Sequence, residues 1–290
     1  MTSTAASPGR PVETGSELRE IRGPSAFGGE RRRFFELLWL TSLTEFRVRY
    51  MGSSLGYAWT LLRPLLFFGV IFVVLRELIG FGANIENYAA MLVLNIILFQ
   101  YFSDATNRAV RSVSARENMV RKMQFPRIVI PLSVSLTAGF TLLLNLVAGF
   151  LLIMATGVSP SPAWLLLPAV LLALVLLTTG VSLILSVAFI RSEDVAQVWN
   201  LISRMLFYLT PILYPIELVP DALRPIVTLN PLAPIFVQAR EWVIDPGAPS
   251  ALAAGGGIAG LAVPLVLLAA ICVLGLWLFE REAPRVAEAL

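Results

Sequence analysis

Ala163-Trp-Leu-Leu-Leu-Pro-Ala-Val-Leu-Leu-Ala-Leu-Val-Leu-Leu-Thr-Thr-Gly-Val-Ser-Leu-Ile-Leu-Ser-Val-Ala-Phe-Ile190 contains no charged residue. A helix that crosses a bilayer needs about 20 consecutive, mostly apolar residues, and this run exceeds that. Five more stretches of the same kind surround it, at 55–80, 87–109, 128–156, 196–216 and 256–279. The predicted fold is therefore an all-α membrane protein with six transmembrane helices. The whole chain agrees: of 290 residues, 57% are hydrophobic and 14% charged, with mean hydropathy +0.78. A soluble domain carries about a quarter charged residues.

Breakers separate the stretches. Gly52-Ser-Ser-Leu-Gly56 precedes the first, Gly80-Phe-Gly-Ala-Asn-Ile-Glu86 follows it, and Gly157-Val-Ser-Pro-Ser-Pro162 divides the third from the fourth. Two prolines in that last turn forbid one continuous helix. Residues 217–250 hold Pro220, Pro225, Pro231, Pro234, Pro246 and Pro249 among apolar runs too short to span. They suit short re-entrant or outer helices before the last span. Upstream, Phe35, Leu38, Trp39, Leu43, Phe46 and Tyr50 recur at three- and four-residue spacing, while Arg32, Arg33, Arg47 and Arg49 fall elsewhere. This pattern predicts an amphipathic helix lying in the membrane interface. Residues 1–30 lack both a core-forming pattern and the apolar segment of a signal peptide. The resulting division is a disordered cytoplasmic tail at 1–30, an interfacial helix at 31–52, a six-span domain at 53–280 and a cytoplasmic C-terminal tail at 281–290.

Arginine and lysine orient the chain. With both termini inside, the cytoplasmic segments hold 17 of the 22 basic residues. Arg76, Arg224 and Arg240 fall outside, and Arg63 and Arg204 lie within spans. Reversing the chain would reverse the bias.

Several functions are excluded or disfavoured. A net charge of +3 is too small for nucleic-acid binding, and the chain has no histidine. Cys272 is the one cysteine, so neither a metal site nor a disulfide is expected. The phosphate-binding pattern Gly-x-x-x-x-Gly-Lys-Ser/Thr is missing. Asp104, Glu77, Glu193 and Asp194 sit near span ends, which disfavours coupling to an ion gradient. No internal repeat suggests an inverted-repeat transporter. Energy is therefore expected from a partner chain.

The ordered motifs resemble a known family. Ser53-x-Leu-Gly-x-x-Trp-x-x-Leu-x-Pro-Leu65 opens the first span. Asn118-Met-Val-Arg-Lys-Met-Gln-Phe-Pro-Arg127 and Pro131-Leu132 follow in and after the central loop. Arg191-Ser-Glu-Asp-Val195, Pro211-Ile-Leu-Tyr-Pro215, Leu229-Asn-Pro-Leu232 and Arg240 complete the set. Together, over roughly residues 31–280, these are similar to the type-2 ATP-binding-cassette permeases that export lipid-linked polysaccharides such as O-antigen, teichoic acid, capsule and galactan. The family commonly has Arg-Asp after the fourth span; here Ser192 and Glu193 intervene.

The resemblance implies a homodimer with two copies of a separate ATPase, which would hold ATP and Mg. No cofactor is expected on this chain. The central loop would be the helix that docks on the ATPase. Its chemistry supports docking independently: Arg116, Arg121 and Lys122 offer charge-assisted contacts, and Met119, Met123 and Phe125 can enter a partner groove. Asn118 lies in the same loop, and Pro126 is expected to stop its helix. An ordinary positive-inside loop explains the basic residues but not the interleaved Met and Phe.

For the glycan, Tyr57, Trp59, Phe99, Tyr101 and Tyr208 offer ring faces that stack on sugars. Tyr57 and Trp59 equally suit an interfacial aromatic belt. Arg63 and Arg204 each lie about 12 Å from the cytoplasmic start of their spans. A buried arginine usually faces a cavity or an anion, and its fork matches the pyrophosphate of a polyprenyl-linked substrate. Snorkelling to the interface remains the other reading of both. Two further functions stay open: a membrane enzyme acting on polyprenyl-linked sugars, and a drug- or lipid-exporting permease of the same superfamily.

Overall fold

The computed structural model describes residues 31–51, 56, 58–116 and 126–282, with the side chains of 31, 32, 50 and 51 not described. The expected N-terminal tail, Tyr57, the loop positions 117–125 and residues 283–290 lie outside the described residues. Every regular element among those described is helical.

The helices are α1 (Arg31–Met51), α2 (Ala58–Phe72), α3 (Tyr88–Val110), α4 (Val129–Ala155), α5 (Leu167–Arg191), α6 (Asp194–Leu209), α7 (Arg224–Leu229), α8 (Leu232–Val243), α9 (Ala251–Ala254) and α10 (Ile258–Glu282). A wide turn at Val73–Leu78 extends α2, and a tight turn at Pro162–Leu166 leads into α5. With those turns, α2, α3, α4, α5 and α10 are long and apolar enough to cross a bilayer. This is a multi-pass membrane protein. The expected C-terminal tail begins later than predicted, since α10 runs to Glu282.

The stretch expected as the fifth span is shorter than its hydropathy suggests. α6 has 16 residues, about 24 Å at the helical rise, against a hydrocarbon core of about 30 Å. It stops because Thr210 turns extended, with ψ 143°, and Pro211 follows. The Asn95 side-chain amide donates to the carbonyls of Pro211 (3.2 Å) and Ile212 (3.3 Å). The Tyr88 hydroxyl donates to the Leu213 carbonyl at 2.9 Å. Non-helical backbone is tolerated at membrane depth where protein groups satisfy it.

α3 is the hub. Residues 90–99 are all buried, under α4 and α5 with α2 and α6 at the sides. By contrast, only 11% of the apolar window is buried in α2 and in α10, as befits helices whose outer faces meet lipid. α10 attaches along α5 through glycine: a Cβ on Gly275 would lie 2.6 Å from the Gly180 carbonyl oxygen. Such small-residue contacts let backbones meet directly. Gly82 is required for two reasons: its φ is +84°, and a Cβ would stand 2.5 Å from the Tyr88 ring.

Each end of the bundle has its own fastening. At the end that carries the basic residues, Val113, Ile128, Leu183, Val187 and Phe279 form a small cluster. Arg191 there pairs with Glu282 at 2.7 Å. At the opposite end the buried Arg240 holds Glu217 (2.8 Å) and Asp245 (3.4 Å). The indole N–H of Trp164 donates to the Val243 carbonyl at 2.8 Å.

α1 packs along α4. Leu38 and Ser42 are buried at the contact, the Thr137 hydroxyl donates to the Ser42 carbonyl at 3.2 Å, and Trp39 and Phe46 both meet the Phe140 ring edge-on. The aromatic face predicted for this helix is split. Phe35 and Trp39 are largely exposed, while Phe46 is half-buried.

Candidate functional site

Two cavities flank the seam where α2 lies on α3. The larger, about 620 Å³, opens between α2, α3 and α6. Arg63 and Phe67 reach it from α2, and Arg204, Phe207 and Tyr208 from α6. Phe99, Gln100, Ser103, Asp104 and Asn107 line it from α3. The two intramembrane arginines singled out by depth thus share one chamber. Both are exposed, and among the described residues neither has an ion-pair partner.

The spacing explains this meeting. Ser203 and Phe207 are buried and form the inner stripe of α6, at i and i+4. Arg204 and Tyr208, one position on from Ser203 and Phe207, flank that stripe and open to the cavity. The Ser203 and Ser103 hydroxyls stand 3.0 Å apart. The Asn107 amide donates to the Ser103 carbonyl at 2.7 Å. The Ser203–Ser103 contact fixes α6 at the height of Ser103. Phe207 touches Phe67 (5.7 Å), Phe99 (5.3 Å) and Tyr208 (5.3 Å), ring centre to ring centre. The chamber therefore combines two cations, a row of amide and hydroxyl groups, and an aromatic wall. Asp104, its acidic member, is paired with Arg108 at 3.3 Å.

The smaller cavity, about 190 Å³, lies on the other side of the seam, between α2, α3 and α4 with the end of α1. Arg63, Gln100 and Asp104 face both. Arg49, Trp59, Tyr101 and Arg108 face only this one.

The remaining predicted residues fall as follows. Phe99 and Tyr208 reach the larger chamber, whereas Trp59 and Tyr101 reach the smaller. Tyr101 is buried, 4% exposed, so it is part of the core rather than a ring presented to a wide passage. Arg47 is exposed on α1. Arg116 faces inward: it pairs with Glu45 of α1 and donates to the Ser133 hydroxyl of α4 at 3.1 Å. Burial lowers the pKa of its guanidinium from the usual arginine value. Its charge is committed within the chain, because α1 brings an acid to it. Pro126 is buried and opens the turn into α4, with its carbonyl accepting from the Val129 N–H at 3.0 Å. Asn118, Met119, Arg121, Lys122 and Phe125 lie outside the described residues.

Sequence reading missed the polar lining. Gln100, Ser103, Asp104 and Asn107 recur at i, i+3, i+4 and i+7 in an otherwise apolar helix, and that spacing alone marks a polar face.

Comparison with known proteins follows the same direction. A family model described as ABC-2 type transporter matches residues 36–242. The O-antigen export system permease protein RfbA of Klebsiella pneumoniae is 30% identical over 73% of this chain and 81% of that protein. The O-antigen export system permease protein RfbA of Myxococcus xanthus is 27% identical over 85% and 92%. The polysialic acid transport protein KpsM of Escherichia coli is 23% identical over 70% and 79%.

Proposed function

This chain belongs to the ABC-2 type transporter family, and on that premise we propose that it is the membrane permease of an exporter for a lipid-linked polysaccharide. The substrate is a glycan on an undecaprenyl- or decaprenyl-pyrophosphate carrier, of the O-antigen, galactan or teichoic acid type. It passes from the cytoplasm to the outer face of a bacterial inner membrane. The permease works as a homodimer with two copies of a separate ATPase, which hold ATP and Mg. The missing phosphate-binding motif and the basic-apolar loop support that division of labour. The arginine bias supports cytoplasmic termini.

One observation carries the substrate class: the chamber in which Arg63 and Arg204 converge beside Phe99, Phe207 and Tyr208. Guanidinium groups without an ion-pair partner among the described residues suit the phosphates that join the carrier to the first sugar. Rings and amides suit the sugars themselves, one by stacking and the other by hydrogen bonding to hydroxyls. The relatives' names, O-antigen export and polysialic acid transport, support the same class. An open side supports pairing of two copies. Val198, Leu201, Ile202, Met205 and Leu209 leave an apolar face of α6 exposed beside the chamber.

The test is depletion of this chain in its own host, followed by identification of the glycan lipid that accumulates and co-purification of the ATPase. Accumulation of a prenyl-linked glycan inside the cell, with loss of the same glycan outside, is expected. Unchanged surface glycan with no accumulating intermediate overturns the proposal.

A further inference from the structure

The smaller cavity has features that the export reading does not use. Thr60 and Asn145 are 7% and 4% exposed, and both line it. Among the described residues the Thr60 hydroxyl and the Asn145 side-chain carbonyl have no hydrogen-bond partner, nor has the side-chain carbonyl of Gln100 beside them. Leaving such groups unpaired in a hydrocarbon-surrounded bundle is costly. Three of them around one space point to a ligand that brings both donors and acceptors.

The charges narrow the chemistry. Arg49, Arg63 and Arg108 face the cavity with Asp104 as its acid, so the lining is net positive. That selects an anion. The unpaired carbonyls of Asn145 and Gln100 need donors, which a phosphodiester lacks and a hydroxyl supplies. The surroundings indicate a lipid. Ile97 and Leu142 contribute apolar lining, Trp59 at the same cavity is 48% exposed, and the adjoining outer face of α2 carries exposed Leu62 and Leu66.

We propose that the cavity between α2, α3 and α4 binds the headgroup of an anionic, hydroxyl-bearing phospholipid, with its phosphate on Arg49 and Arg63 and its hydroxyls on Asn145 and Gln100. The site shares Arg63 and Gln100 with the substrate chamber but opens on the other side of the α2–α3 seam, and it holds a resident bilayer lipid rather than cargo. It does not depend on which polymer is exported, and its test needs neither ATPase nor glycan.

The experiment is native mass spectrometry of the purified full-length chain in detergent, titrated with phosphatidylglycerol, phosphatidylcholine, soluble glycerol phosphate or a prenyl phosphate. Phosphatidylglycerol should be retained about tenfold better than phosphatidylcholine, the size expected from the two hydroxyl-to-carbonyl hydrogen bonds that choline cannot make. Thr60→Val and Asn145→Leu, made singly, should each weaken that retention several-fold, and Arg49→Gln about tenfold. Arg204→Gln, which touches only the other chamber, should leave it unchanged. Thermal unfolding of each variant without lipid separates lost binding from lost folding, and any one folded variant suffices. Equal retention in the wild type and in these cavity variants overturns the site. Retention of glycerol phosphate as strong as that of the lipid, or stronger retention of the prenyl phosphate that Thr60→Val or Asn145→Leu weakens, overturns the assignment to a resident phospholipid.

Discussion

Arg204→Gln should cut export about tenfold and leave the fold intact. Arg204 has no ion-pair partner among the described residues, so its removal strands no internal charge. Its stability cost should then fall within the roughly 0.5 kcal/mol typical of exposed substitutions. The functional cost is a hydrogen bond to a charged group, about 1.5–3 kcal/mol. Because the side chain is exposed in the chamber before the substrate arrives, the low end applies, which is about tenfold in rate or affinity. Arg204→Lys should recover part of this, since an ammonium keeps the charge but not the planar fork. The assay is uptake of a radiolabelled lipid-linked glycan into inverted vesicles at matched protein abundance, alongside unfolding temperatures in detergent. Wild-type export in the Gln variant would refute the reasoning, because it would mean that the chamber is not on the path. A large drop in unfolding temperature would refute it differently, by showing a structural role.

Arg240→Met should behave in the opposite way. It strands Glu217 and Asp245, which are 41% and 23% exposed at the side chain, and because both partners reach water the cost is about 2 kcal/mol rather than the larger value for a fully buried pair. Thermal unfolding checks it, and an unchanged midpoint would show that the clamp is idle. Gly275→Leu drives a side chain into the Gly180 carbonyl, an overpacking cost of about 1–3 kcal/mol, so α10 should become protease-sensitive while α3 stays protected. Replacing Met119, Arg121 and Phe125 together should release the ATPase in a pull-down while the permease still reaches the membrane; an unchanged yield would remove the loop from the interface.

Much of the fold was legible because hydropathy and length act on each stretch separately. The run at 163–190 had to be a span whatever its neighbours did, and α5 occupies it with a leading turn. The extent of α6 was not legible in that way. Its end at Leu209 depends on Asn95 and Tyr88 waiting 116 and 125 residues away to take up the carbonyls of Pro211 and Leu213. Hydropathy counts side chains and cannot see such backbone satisfaction. The same holds for Arg116. Its residue type and place suited a docking loop, but its orientation is decided by Glu45, which only the packing of α1 on α4 brings near. Arg63 and Arg204 were legible together because equal depth on two parallel spans follows from helical rise alone. The smaller cavity was hidden because Arg49 and Arg108 read as interfacial-helix and positive-inside charges.

The position of Arg63, Gln100 and Asp104 between the two cavities has a mechanical side. α2 rests on α3 along that line and has 11% of its apolar window buried. A helix so lightly held, with lesser contacts to α4 and to Phe207 of α6, can pivot about that line at small energetic cost. Any such rocking widens one crevice as it narrows the other, like a plank on a fulcrum. The cavities of about 620 and 190 Å³ are then not two independent spaces: swelling on the α6 side must squeeze the α4 side.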